Sequence, residues 1–144
     1  MVIFDKEYRI SQRKNLVKYI FDILDNTQCP NKIWAFIIKS LHFTFPIYLF
    51  FFVFILASKN LCIFCYLFLI FFLLLYIYLQ GCFISSLEYK LFSKNFINII
   101  DPYIMLFNYK ITNDNRFYGT FTIAFTYFLL VSIVLFYRFQ KKIE

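Results

Sequence analysis

The 144-residue chain is 62% hydrophobic and 25% aromatic, with 23 Phe and 12 Tyr, yet only 16% charged. A soluble domain carries about a quarter charged residues, and a disordered segment is poor in aromatic and aliphatic side chains, so both classes are excluded. What remains is a small integral membrane protein, and the expected fold class is all-α, with three transmembrane helices (an antiparallel hairpin plus a third span) and amphipathic interfacial helices.

In chain order, residues 1–39 read as an N-terminal amphipathic interfacial segment. Leu16, Ile20, Ile23 and Leu24 share one helical face, and Lys14, Lys18, Asp22 and Asp25 another, with Ser11 as the expected cap. Cys29-Pro30 breaks this helix before Trp34, an indole suited to a membrane interface. Residues 40–80 read as a transmembrane helical hairpin. No charge occurs in the 19 residues from Ser40 to Ser58, nor in the 28 from Asn60 to Leu87. A hydrocarbon core of roughly 30 Å takes about 20 helical residues, which places helices near 40–57 and 61–80. Ser58, Lys59 and Asn60 leave so short a turn that the two helices must touch. Leu67 to Leu79 is apolar throughout without Gly or Pro, which excludes the alternating strands of a β-barrel.

Residues 81–117 mix Phe and Ile with Glu88, Lys90, Lys94, Asp101 and Arg116, and read as an interfacial connection. Phe92, Phe96, Ile99 and Ile100 recur at helical spacing with Lys94, Asn95 and Asn98 between them, and Asp101-Pro102 is expected to end that helix, since the residue before Pro disfavours the α region. The apolar piece from Tyr103 to Tyr109 is too short to span, and a re-entrant path over 95–110 is its alternative. Residues 118–144 complete the chain with a third span near 118–137 and a basic tail.

Of the Lys and Arg residues, seven precede the first span, one lies in the tight turn, four lie between the second and third spans and three follow the third. Eleven on one side against four on the other place the N-terminal segment and 81–117 on the cytoplasm-like face. The net charge of +7 sits beside the spans and forms no compact basic module, so anionic lipid headgroups are the expected partner and nucleic acid is not.

Five residues are candidates for structural or interaction roles: His42, Pro46, Glu88, Asp101 and Arg116. Pro46 removes the backbone donor to the carbonyl of His42, so a kink is expected there, with Thr44, water or a neighbouring helix as substitute donor. His42 is ionisable within a span, one turn from Lys39. Glu88, Asp101 and Arg116 fall at one interface and are expected to meet, fastening the connection onto the helix ends. No cofactor is expected, and no metal, since the other thiols and the single His do not converge on the Cys62/Cys65 pair in this topology.

Cys62-Ile63-Phe64-Cys65 places two thiols on one face at a helix N-terminus, where a thiol pKa falls. This motif resembles that of the membrane-embedded oxidoreductases of the vitamin K epoxide reductase and quinone-linked disulfide-forming families, and the resemblance implies a redox role for Cys62 and Cys65. It covers four residues. Those families add a shuttling pair on the same side, whereas Cys29 and Cys82 are expected on the opposite one. His42, Pro46, the Gly81–Glu88 cluster, Asp101-Pro102 and Asn115-Arg116, in that order, resemble small multi-pass membrane proteins of unknown function encoded by large nucleocytoplasmic DNA viruses. That resemblance implies a component of a virion internal membrane or a virus-modified host intracellular membrane, in contact with capsid proteins.

The function expected from the sequence is non-catalytic: a structural or accessory component of a larger hetero-oligomeric membrane assembly, linking virion membrane and capsid. An accessory subunit of a respiratory or ATP synthase complex of the mitochondrial inner membrane is one alternative, and a thiol–disulfide oxidoreductase is the other.

Overall fold

In the computed structural model, residues 5–92 and 97–140 are described, and all regular structure among them is helical. The helices are α1 (Lys6–Asp25), α2 (Asn31–Tyr48, continued by a wider π-helical stretch over Leu49–Leu56), α3 (Lys59–Tyr78), α4 (Phe83–Phe92), α5 (Asp101–Leu106) and α6 (Asn113–Gln140). Three units are long and apolar enough to cross a membrane: Asn31–Leu56, Lys59–Tyr78 and Asn113–Gln140.

These units overlap the expected spans but start earlier in the chain. The first begins at Asn31, where Pro30 ends the preceding turn, and carries Lys32 and Lys39 in its opening turns, so helix and uncharged run are not the same interval. The third begins at Asn113, where the Thr112 hydroxyl accepts from the Asn115 N–H at 3.1 Å, and takes in Arg116. At the other end of the chain, Asp5 rather than Ser11 caps α1, its carboxylate accepting from the Glu7 N–H at 3.1 Å, and Ser11 lies inside the helix.

Pro46 does not end α2, whose winding continues through it and then widens to the π-helical stretch, a change of pitch that often accompanies proline in a long helix. Thr44 does not supply the substitute donor, because its hydroxyl donates to the Ser40 carbonyl at 2.8 Å. Tyr127 on α6 donates to the Pro46 carbonyl at 2.7 Å and ties α6 to the bend. The carbonyls closing the π-helical stretch are taken up by Arg138, near the end of α6. Its guanidinium donates to Phe54 at 2.8 Å and Val53 at 3.4 Å, and also to Ala57. A cation on the orphan carbonyls of a helix C-terminus meets both the hydrogen-bonding and the dipole requirement of that end.

Among the described residues, two clusters of buried side chains hold the helices. Val53, Phe54, Cys62, Val131 and Leu135 join the first span to α3 and α6 near Arg138, with Tyr66, Leu69 and Tyr127 around them. Val17, Ala35, Leu87 and Leu91 join α1, α2 and α4, flanked by Ile20, Phe21, Leu24 and Trp34. The inward face of α1 is therefore Val17, Ile20, Phe21 and Leu24, while Ile23, expected on that face, is exposed. Aromatic contacts extend the α3–α6 joint: Tyr66 stacks on Phe128 and its hydroxyl meets Ser132 Oγ at 2.8 Å, and Tyr76 stacks on Phe117 and donates to its carbonyl at 2.7 Å.

The connection from 81 to 112 departs most from expectation. Phe83–Phe92 is a helix packed against α1 and α2, and Asp101-Pro102 begins α5 instead of ending a helix, Pro being tolerated in a first turn where its missing N–H has no partner to lose. Phe96, Lys94 and Asn95 of the expected amphipathic helix lie outside the described residues. Residues 97–100 are not helical. There the Asn98 N–H donates to Asp101 Oδ2 at 3.0 Å and the Ile100 N–H to Asn98 Oδ1 at 3.3 Å, side-chain bonds that compete with helix.

After α3 the chain reverses in a tight Schellman turn, with Gly81 N–H donating to the Tyr76 carbonyl at 3.0 Å and Gln80 N–H to Ile77 at 3.3 Å. Gln80 sits at φ 54° and Gly81 at φ 136°. A Cβ at Gly81 would also collide with the guanidinium of Arg13. Gly81→Ala should therefore lower stability by about 1–3 kcal/mol, read as an earlier thermal unfolding in detergent, whereas Gly→Ala within a helix would raise it.

Candidate functional site

The turn at Gln80-Gly81 delivers Cys82 to the position just before the first turn of α4. Arg13 on α1 secures that turn by donating from Nη1 to the Gln80 carbonyl at 2.5 Å. On α4, Glu88 shares the inward side with Leu87 and Leu91 and is 1% exposed. On α2, His42 follows Ala35 and Ile38 at helical spacing and so faces the same joint. Three elements thus meet at one imidazole: α2, α4 and the turn before α4, which Arg13 of α1 secures.

The geometry is linear. His42 Nδ1 lies 2.8 Å from Glu88 Oε1, and His42 Nε2 lies 3.6 Å from Cys82 Sγ. A carboxylate only accepts, so Nδ1 carries the proton that faces Glu88, which leaves Nε2 to face Cys82, as acceptor from the thiol in the neutral ring or as donor to the thiolate in the imidazolium. Glu88 Oε2 is buried with no hydrogen-bond partner among the described residues. Burial alone would raise the Cys82 thiol, but the hydrogen bond and charge of His42, together with backbone and side-chain bonds from Ser85, outweigh it and hold the thiol below its ordinary value. Burial likewise pulls the Arg13 guanidinium down, an effect that the nearby Tyr76 and Cys82 partly offset. Because the ring nitrogens point to opposite partners, the acid and the thiol cannot close on one ion. No group of three His, Cys, Asp or Glu that could hold a metal occurs among the described residues.

Glu88, Asp101 and Arg116 do not form one cluster as expected. Glu88 goes to His42, while Arg116 grips Asp101 in a bidentate pair, Nε to Oδ1 at 2.7 Å and Nη2 to Oδ2 at 2.8 Å. Asp101 is 4% exposed, and this fork fixes the start of α5 to the first turn of α6. Beside it, a Cβ on Gly119 would stand 3.2 Å from Ile100, so the lack of a side chain lets the two segments close. Lys6 and Asp114 add an exposed pair at 3.1 Å between α1 and α6.

The Cys62 and Cys65 thiols are free, Cys62 buried and Cys65 half-buried. Cys62 Sγ donates to the Val53 carbonyl at 3.1 Å and lies 3.0 Å from Arg138 Nη1, so it belongs to the clamp on the first span's end. Cys82 sits on His42, and Cys29 lies 4.0 Å from the Pro30 carbonyl, so neither joins that pair.

Sequence reasoning singled out His42 and Glu88 but did not connect them, and it missed the contacts made by Cys82, Arg13 and Arg138. The usable signal was Gln80-Gly81-Cys82, a turn that directs a thiol back toward the only imidazole in the chain.

Two outcomes follow from these distances. Asp101→Asn should destabilise the chain by about 1–3 kcal/mol, and Arg116→Lys should fail to replace the fork, both read by thermal unfolding in detergent. Since the folded thiol lies below its ordinary value, ionisation of Cys82 contributes stability that is full above the ordinary value and lost as pH falls through the folded one. Alkylation of Cys82 by iodoacetamide should accordingly reach half its maximal rate at lower pH in the intact chain than in His42→Gln. No family model, curated protein or solved structure matches this chain.

Proposed function

We propose that the protein is a non-catalytic structural or accessory component of a membrane assembly, with its three apolar helices inserted, neighbouring spans antiparallel, and its basic N-terminal segment and 81–117 connection resting on anionic headgroups. The observation that supports this most is the contrast between fixed ends and bare sides. Only 6–11% of the residues in the apolar stretches of the three helices are buried within the chain, and Phe51, Phe64, Leu67, Leu74, Leu130 and Phe136 all stand outward. Small residues that let helices approach closely are few, so the outward faces offer aromatic and branched surface to lipid and to neighbouring helices. Around these faces, ion pairs and carbonyl clamps hold the helix ends at set positions. Three helices enclose little volume for a substrate, which favours a supporting role.

The setting in this reading is a virion internal membrane or a virus-modified host membrane with capsid proteins as partners, and a mitochondrial respiratory or ATP synthase assembly is the alternative. Purification in mild detergent from the native source, followed by native mass spectrometry, tests it. The expected result is a complex heavier than one 17.6 kDa chain with its detergent and lipid, containing other membrane or capsid proteins. A lone chain from every membrane fraction would contradict it.

A further inference from the structure

The assembly role uses the helix faces and leaves the Cys82–His42–Glu88 row without a purpose. A joint between α2 and α4 alone would be served as well by apolar side chains, because burying a carboxylate is costly unless its partners are complete. Glu88 is 1% exposed and keeps one oxygen without a hydrogen-bond partner among the described residues. A network built only to hold helices together would be expected to saturate that oxygen. The order of the three groups is also specific: a thiol on one imidazole nitrogen and a carboxylate on the other is the arrangement that activates a nucleophile and orients its base.

We propose that Cys82 is an activated thiol that accepts a long-chain acyl group from an acyl thioester, with His42 as base and Glu88 as the residue that positions the imidazole. The location selects this class of donor. Cys82 is half-buried, just past the end of α3, between Leu79 and Phe83, where a strongly apolar helix gives way to a turn held by the Arg13 guanidinium. An acyl chain lying along the outward Phe and Leu side chains of α3 brings its carbonyl to that level, and the guanidinium there suits an anionic carrier.

In the step, the Cys82 S–H proton passes to His42 Nε2 and the sulfur attacks the acyl carbonyl carbon. The donor's C–S bond breaks, and the leaving thiolate takes the proton from Nε2. A new thioester on Cys82 replaces the donor's thioester, with no change in oxidation state. Glu88 stabilises the imidazolium that exists between the two proton transfers. The product is a chain with an added acyl anchor, which is compatible with a supporting role because no turnover is needed.

Full-length protein in phospholipid nanodiscs, incubated with alkyne-tagged palmitoyl-coenzyme A, tests the proposal. Hydroxylamine-sensitive label should appear on Cys82 and be absent from Cys82→Ser, while Cys62→Ser/Cys65→Ser labels as the wild type does. His42→Gln should slow labelling by about a hundredfold, the usual worth of a positioned base. Its rate should also rise with pH through the ordinary thiol range, where the wild type has already levelled off. The groups facing the thiol are His42 from α2, Tyr76 from α3, Arg13 from α1 and Ser85 from α4, so Lys18→Gln, at an exposed cation of α1, serves as the control for general loss of positive charge and should keep the wild-type pH profile. Glu88→Gln keeps an acceptor for Nδ1 and is the variant to read if His42→Gln does not fold; its rate should fall by about tenfold. Labelling of Cys82 no faster than of the other thiols, or a pH profile unchanged in both His42→Gln and Glu88→Gln, would overturn the proposal.

Discussion

The structure depends on one requirement: polar groups at the ends and bends of long apolar helices take partners from elsewhere in the chain, because leaving them unpaired away from water costs free energy. Each joint in the molecule meets that requirement with a different chemistry. Carbonyls at the end of the first long helix receive the guanidinium of Arg138, the buried carboxylate of Glu88 receives the imidazole of His42, and that of Asp101 receives the fork of Arg116. Tyr76 and Tyr127 bring hydroxyls to backbone carbonyls of neighbouring helices. These bonds lie at the ends and bends of helices, where backbone or charge would otherwise be left unpaired, and between them the helices run with apolar sides outward.

The two buried clusters are small, and each sits beside one of these polar joints. Val53, Phe54, Val131 and Leu135 surround the Arg138 clamp, and Leu87 and Leu91 flank Glu88. Apolar packing here shields polar contacts and strengthens them by lowering the local dielectric, more than it forms a continuous core. The order at the α2–α4 joint follows from this. Shielding holds the imidazole between acid and thiol, and the left-handed turn at Gln80 and Gly81 sets the thiol against it.

How much of this was legible in the sequence depends on the kind of signal. The three long helices were legible because an uncharged stretch of about twenty residues has few other uses. Their starts were not, since Asn31 and Asn113 lie outside the uncharged runs and snorkelling lysines belong to helices as readily as to loops. Charge at 88, 101 and 116 announced pairing, but linear order could not say that Glu88 would turn to His42, 46 residues earlier, while Asp101 took Arg116. The reading of Asp101-Pro102 as a stop rested on the residue before Pro. The competing preference for Pro in a first turn prevailed, because Asn98 and Asp101 occupy the backbone donors that a preceding helix would have used. Arg138 gave no sequence sign of its role, since a cation after an apolar run reads equally as a topology marker.

The central claim is that the outward faces of the three long helices rest in lipid. Single spin labels at positions 67, 74 and 130, in chains reconstituted into phospholipid nanodiscs, measure this through relaxation by oxygen, which concentrates in the bilayer, against a nickel chelate, which stays in water. The account predicts strong relaxation by oxygen and little by the chelate at all three positions. Relaxation dominated by the chelate at any of them would contradict it.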